Sequence, residues 1–245
     1  MVFMRYFAGI FDAEGYVSLM NNGHFIIGMD MTNETVVNLF KEHFNGSTYK
    51  QIRSNRKPIF AWRIPSNRGI ALNFIEKVSN YSFIKKPQLV LLKEYLMLDR
   101  ISRKNLRKDY ISKMAFLKIP SSISIQEIKT IYTDCVADIC FWEWFAGFLD
   151  GDGCISIYEY KQKTGTCSFD CWIGIFNTFP EPIILTQKRI NGSISQYKGN
   201  KFPIWKWVCS EKSTSILCNC ALTGAEEKPD SFTSSSNERS EFSIS

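Results

Sequence analysis

The sequence predicts an α+β fold in which one αββαββα unit occurs twice about a pseudo-twofold axis. Three observations predict it. "FAGIFDAEG" at residues 7–15 returns as "FAGFLDGDG" at residues 145–153. Further blocks recur in the same order: "IIGMDMTN" (26–33) with "WIGIFNTF" (172–179), "NGS" at 45–47 and 191–193, and "KPIFAWRI" (57–64) with "FPIWKWVC" (202–209). Ordered repetition at a domain-sized spacing marks a tandem duplication. Finally, each copy sets an apolar helical stretch before pairs of runs rich in β-branched and aromatic residues.

The elements follow in chain order. Residues 2–13 are mostly apolar and free of proline, which suits a buried helix, and Gly15 and Gly153 are expected to stop the two copies. "YVSLMN" and "HFIIGMDM" read as strands joined across "NNG", a hairpin turn. "ETVVNLFKEHF" reads as a helix started near Asn33, apolar at Val36, Val37, Leu39, Phe40 and Phe44. "STYKQIRS" and "PIFAWRIP" form a second predicted hairpin across "NRK"; "NRGIALNFIEKVSN" and "QLVLLKEYLMLDRI" supply two more helices. The predicted organisation is a first half over 1–98, a basic linker over 99–141, a second half over 142–221 and a disordered tail over 222–245. The tail is serine-rich and acidic, and in the second half no segment matches the helix at "QLVLLKEYLML".

Composition narrows the function classes. The net charge is +6, concentrated in residues 1–141, where 20 Lys/Arg face 12 Asp/Glu. A basic body fits a polyanionic partner. No stretch of eighteen apolar residues occurs, so no membrane span is expected. The repeated motif begins at residue 7, which leaves no room ahead of it for a cleavable targeting peptide, so the expected location is the compartment of synthesis. The eight cysteines all lie between Cys135 and Cys220 without a CxxC pair, and the only histidines are His24 and His43. A zinc site is therefore not expected, and the cysteines are read as free, mostly buried thiols.

The repeated acids carry the chemistry. Ala8-Gly9 and Ala146-Gly147 lie inside the two predicted helices, where glycine costs about 1 kcal/mol relative to alanine. Close approach of the two helices is the usual compensation. Asp12, Glu14, Asp150 and Asp152 fall where these helices end, against the negative pole of each dipole. If both ends converge, a divalent cation would relieve the repulsion, since Mg²⁺ accepts carboxylates and backbone carbonyls. Asp12 and Asp150 are equally readable as caps of local N–H groups.

The paired nonapeptides resemble the LAGLIDADG signature of single-chain homing endonucleases, and the likeness extends over roughly residues 2–217. The resemblance implies motif helices at the interface of the halves and a saddle of antiparallel strands lying in a DNA major groove. It implies that Glu14 and Asp152, with the carbonyls of Ala13 and Gly151, hold Mg²⁺ (or Mn²⁺). It implies hydrolysis of both strands of a long asymmetric duplex site, leaving 3′ overhangs, by a monomer that is intron-encoded. The location would be a mitochondrion or chloroplast for an organelle gene and the cytoplasm otherwise. A lysine near the scissile phosphate falls on Lys85, with Lys86 as the neighbouring alternative, and Asn33 takes a supporting polar position. The expected DNA-facing residues are Lys50, Gln51, Arg53, Arg56, Lys57 and Arg63 in the first half, and Gln196, Lys198, Lys201 and Lys206 in the second. Two rival functions stay open at this point: an RNA-binding splicing maturase acting on a host intron, and a DNA-binding module without cleavage.

Overall fold

A computed structural model describes residues 2–120, 138–161, 167–199 and 201–210. The expected tail over 222–245, residues 121–137 of the expected linker and residues 211–221 of the expected second half lie outside these residues. Helix α1 (Val2–Glu14) leads into strands β1 (Gly15–Leu19) and β2 (Phe25–Met31), helix α2 (Glu34–Phe44), and strands β3 (Ser47–Gln51) and β4 (Ile59–Pro65). Helices α3 (Arg68–Val78), α4 (Lys86–Met97) and α5 (Arg100–Phe116) complete the first half. The second half repeats the opening: α6 (Asp138–Asp152), β5 (Gly153–Lys161), β6 (Cys167–Asn177), α7 (Pro180–Ile190), β7 (Ser193–Tyr197) and β8 (Ile204–Ser210).

Each half holds a four-stranded antiparallel sheet, in the orders β1-β2-β4-β3 and β5-β6-β8-β7. The period-2 alternation of a strand sends one set of side chains to the helices. In the first sheet that set is Val17, Phe25, Ile27, Met29, Phe60, Trp62 and Ile64, all buried. Two turn devices are duplicated with the sequence. Asn45-Gly46 and Asn191-Gly192 both take positive φ, and Trp62 and Trp207 each donate their indole N–H to the asparagine carbonyl, at 2.6 and 2.5 Å. The "NGS" recurrence is therefore turn chemistry.

The halves meet through α1 and α6. A Cβ on Gly9 would lie 2.0 Å from the Trp144 carbonyl oxygen, and one on Gly147 would lie 2.0 Å from that of Tyr6. Neither position admits a side chain, which is what the helical glycines are for. The flanking contacts are reciprocal. The Trp144 indole donates to Asp12 at 2.9 Å, and the Tyr6 hydroxyl donates to Asp150 at 2.6 Å. Arg5 and Glu143, equivalent positions in the repeat, pair with each other at 3.0 Å.

Three expectations need correction. Gly15 and Gly153 end their helices, but neither does so as a left-handed cap, since neither has positive φ. Instead their Cβ atoms would fall 2.3 Å from Phe11 O and 2.2 Å from Leu149 O, so crowding demands glycine. The segment expected as a basic linker from residue 99 begins with a helix, α5, capped by Asp99, whose carboxylate accepts from Ile101 N and Ser102 N. Its Met114 is buried, and Arg107 donates to Asn21 O at 2.9 Å in the β1–β2 turn. The cysteines are less buried than expected: among the described ones Cys209 is buried and Cys171 half-buried, while Cys154 and Cys167 are exposed, all four as free thiols.

Candidate active site

The C-terminal ends of α1 and α6 bring Glu14 and Asp152 together, because close packing along Gly9 and Gly147 leaves the helices no room to diverge. A Cβ on Gly151 would sit 2.4 Å from the Ala13 Cβ and 3.2 Å from the Glu14 Cγ, which shows how tightly the ends converge. Burial is the main reason that the Glu14 pKa is pushed up to about 7; the Asp152 and Asp30 charges add to it, and Lys85 opposes. Burial likewise raises Asp152 to about 6, against the opposing hydrogen bond from Asn177 and the charge of Lys85. Buried like charges are costly unless neutralised by a counter-ion.

Asp12 does not join them. Its side chain is buried and accepts from Ser82 Oγ at 2.5 Å, Phe83 N at 2.7 Å, Lys85 N at 2.9 Å and the Trp144 indole. Burial would push its pKa up, while these four donors favour the charged form. Of the two readings left open for Asp12, the cap is the one this geometry supports. The cap fixes the loop over residues 82–85, and that loop places Lys85 beside the carboxylates. Asp150 is exposed and bound to Tyr6, also away from Glu14 and Asp152.

Lys85 is the basic residue drawn into the site. Its ammonium feels the charges of Asp12, Asp152 and Glu14, and lies 5.8 Å from the ring centroid of Phe179 in the other half. Burial outweighs those charges and lowers its pKa. Lys86 is exposed, one residue further along α4.

Asn33 is committed elsewhere: its side chain caps α2, accepting from Thr35 N and Val36 N. The polar residue that does reach a carboxylate is Asn177, which sequence reasoning missed. Its amide donates to Asp152 Oδ2 at 2.6 Å, while its oxygen accepts from Phe179 N at 2.8 Å. The signal was present in the paired blocks. Asn177 stands where the first copy has the buried Met31, and a polar residue at a core position calls for a partner.

No family model matches the chain, and no curated protein matches it by sequence. Solved structures do match. The I-LtrWI LAGLIDADG homing endonuclease bound to target DNA aligns with a TM-score of 0.62 at 16% identity, covering 90% of this chain and 83% of that one. The meganuclease I-SmaMI, bound to cleaved DNA, gives 0.60 at 19% identity, covering 89% and 82%. The LAGLIDADG meganuclease I-AabMI, bound to uncleaved DNA, gives 0.62 at 16%, covering 89% and 83%. The fold is that of the LAGLIDADG homing endonucleases.

Within this LAGLIDADG fold, strand register sorts the residues expected to face DNA. Arg63 pairs with Gly28 and Ser47, and Gln51 with Ile59, on the sheet face turned away from the helices. Arg63 lies 3.7 Å from Asp30 and 5.7 Å from the Tyr49 ring centroid on that face. Lys50 pairs with Phe60 and places its ammonium 5.3 Å from that ring, on the helix-facing side. Gln196 pairs with Trp205 and shares that opposite side. Period-2 alternation thus removes both from the open face. Arg56 and Lys57 are exposed in the β3–β4 turn, where Arg53 donates to Lys57 O at 3.1 Å. Lys198 and Lys201 are exposed in the β7–β8 turn. Lys206 is on the open face, but its ammonium is wrapped by aromatic rings.

Among the described residues no three His, Cys, Asp or Glu side chains cluster as a metal site. The two converging carboxylates nevertheless fit a hard divalent ion, because Mg²⁺ is commonly held by one or two carboxylates with substrate phosphate and water completing its shell. Among these residues no helix is long and apolar enough to cross a membrane.

Proposed function

We propose that this protein is a site-specific double-strand DNA endonuclease of the homing type, acting as a monomer on a long asymmetric site. The observation that carries the reading is the convergence of Glu14 and Asp152, one from each half, with Lys85 beside them. A binding module has no use for two carboxylates held together at the negative ends of two helices. A duplex is itself nearly twofold, so one carboxylate per half matches one scissile phosphate per strand. Strand-by-strand hydrolysis in the family manner would leave 3′ overhangs. An intron-encoded origin and action in the compartment of synthesis belong to the same proposal.

Glu14 and Asp152, assisted by the carbonyls of Ala13 and Gly151, would hold Mg²⁺ or Mn²⁺, which supplies Lewis-acid stabilisation of charge on the phosphate oxygens. The chain's own residues do the rest. Lys85 sets a positive charge where the phosphate gains negative charge, in a site dry enough to strengthen that interaction. Asp12 holds the backbone of Lys85 and so fixes where the ammonium can reach. Asn177 fixes the orientation of Asp152 through its amide. Exposed Arg56, Lys57, Lys198 and Lys201 sit at turns and suit phosphate contacts.

The test uses the full chain and a plasmid library with randomised inserts. With Mg²⁺, wild-type protein should linearise a selectable subset. Glu14→Gln and Asp152→Asn should each lose cleavage of at least one strand by about 100-fold or more while retaining duplex binding. Undiminished cutting in excess chelator would sink the metal assignment. Failure of any duplex to be bound or cut would sink the function.

A further inference from the structure

The open faces of the two sheets are chemically different, although the backbone beneath them is the same. The repeat aligns Asp30 with Phe176, Arg63 with Val208, Ala61 with Lys206 and Gln51 with Tyr197. The first face therefore carries a charged pair with Tyr49 beside it. The second carries an aromatic floor. Lys206 lies at its centre, with its ammonium 5.4 Å from the ring centroids of Trp172 and Phe176 and 5.8 Å from that of Tyr197. Tyr158 lies nearly parallel to Trp172, at 6.4 Å and 16°.

A cation over several ring faces is satisfied by their quadrupoles and holds the rings in place. Lys206 thus acts here as a brace. What the braced rings present is an apolar surface, half-exposed at Trp172 and Phe176 and more exposed at Tyr158 and Tyr197. Lys198 and Lys201 stand exposed at the neighbouring turn, so a positive rim borders the apolar floor. A DNA major groove has the complementary layout: phosphates along its edges and, on its floor, one apolar group, the thymine 5-methyl. Bases stacked within a duplex offer no ring face to an aromatic side chain, so the methyl is the contact that such a floor can make.

We propose that the two halves read their half-sites by different chemistry: the first through charge and hydrogen bonds, the second through apolar contact of Trp172, Phe176 and their neighbours with thymine methyl groups. This rests on the reading of the protein as a duplex-DNA endonuclease. The experiment is chosen so that the two can fail separately. A duplex is selected from a randomised library by retention on the full chain; if none is retained, the DNA-binding reading itself fails. In the selected duplex each thymine is then replaced by deoxyuridine, which removes only the methyl group.

Thymines in the half-site read by the second half should each lose about fourfold in affinity when the methyl is removed, the worth of one buried methyl. In Trp172→Ala or Phe176→Ala those penalties should vanish, while any in the other half-site persist. The wild-type measurement needs no variant to fold. The proposal is overturned if no thymine shows a methyl penalty, or if none of the penalties depends on Trp172 or Phe176. It is also overturned if the chain prefers single-stranded DNA to the duplex by an amount that Trp172→Ala abolishes, since the rings would then stack on unpaired bases.

Discussion

The two halves share what joins them and differ in what covers them. Val17 and Leu19 on β1 are 0% and 8% exposed, whereas their counterparts Ile155 and Ile157 on β5 are 62% and 69% exposed. Behind the first sheet stand α3, α4 and α5, with Ala71, Phe74, Ile75, Leu89 and Leu92 buried. Among the described residues the second sheet has only α6 and α7 behind it. Yet the reciprocal contacts at the interface, the indole-to-carbonyl turns and the crowded glycines at the helix ends occur in both. Duplication keeps the interface contacts because each needs its partner from the other copy; the turns and helix-end glycines lie within one half and are kept because their backbone geometry and crowding demand those residues. Among the described residues a sheet's open face makes no contact with the other copy and is free to diverge.

The largest effects should come from breaking the shared part. Gly9→Val and Gly147→Val each drive a side chain into the backbone of the facing helix, and each should cost about 4 kcal/mol or more in denaturant unfolding. The two losses should be similar, since the contacts mirror one another. Gly69→Ala at the start of α3, where the nearest atom outside the local backbone is 3.7 Å away, should be neutral or stabilising. A mild effect at only one of the interface glycines would mean that the twofold relation does not extend to the energetics.

The next effect sharpens the difference between the halves. Lys85 belongs to the first half, but its ammonium serves the space between Glu14 and Asp152. Lys85→Met should slow single-turnover cleavage by roughly 100-fold or more, and Lys86→Met by no more than about threefold. If the two substitutions had equal effects, the placement of Lys85 beside the carboxylates would carry no catalytic meaning.

The smallest effect is on pH dependence. In the metal-free protein Glu14 titrates near 7 and Asp152 near 6, both above the values of 4.5 and 3.8 expected without the fold. Between those limits the folded protein keeps protons that the unfolded chain has released. The contribution of these two groups to stability should therefore be fully present below about pH 4, fall as pH rises towards 7, and be lost above it. A thermal melt series should show the melting temperature of the wild type declining across this window more than that of Glu14→Gln. Glu14→Gln should flatten its upper part. Asn177→Leu, by removing the donor that favours ionised Asp152, should extend the Asp152 contribution to higher pH. The first half has Met31 in place of Asn177, so Met31→Leu should leave the profile unchanged. Identical pH profiles for wild type and Glu14→Gln would contradict the raised pKa of Glu14.

Much of the fold was legible in the residues because its signals are local. The alternating runs around "NNG", the Asn-Gly turns and the apolar stretches ending in paired acids each declare their own element within about fifteen residues. The same locality misread α5. Its sequence is polar enough to pass for a linker, and only packing of Met114 and the Arg107 contact with the β1–β2 turn make it part of the first half. In the site, the four repeated acids at the helix ends were legible in the residues, and the resemblance to the LAGLIDADG signature singled out Glu14 and Asp152 among them. Asn177 was not, since its role depends on where a strand end meets a helix end 25 residues away.

The sequence by itself determined the duplication, the αββαββ order of each copy and the four acids at the motif ends. These follow from spacing and periodicity, which are properties of the chain. Tertiary structure alone decided that Asp12 caps a loop, that Asn177 rather than Asn33 reaches a carboxylate, and that Lys50 and Gln196 turn from the open face while Lys206 braces a ring cluster. Each of those outcomes depends on strand register or on partners up to 132 residues away, and a side chain's neighbours across such a distance are fixed only when the halves close on one another.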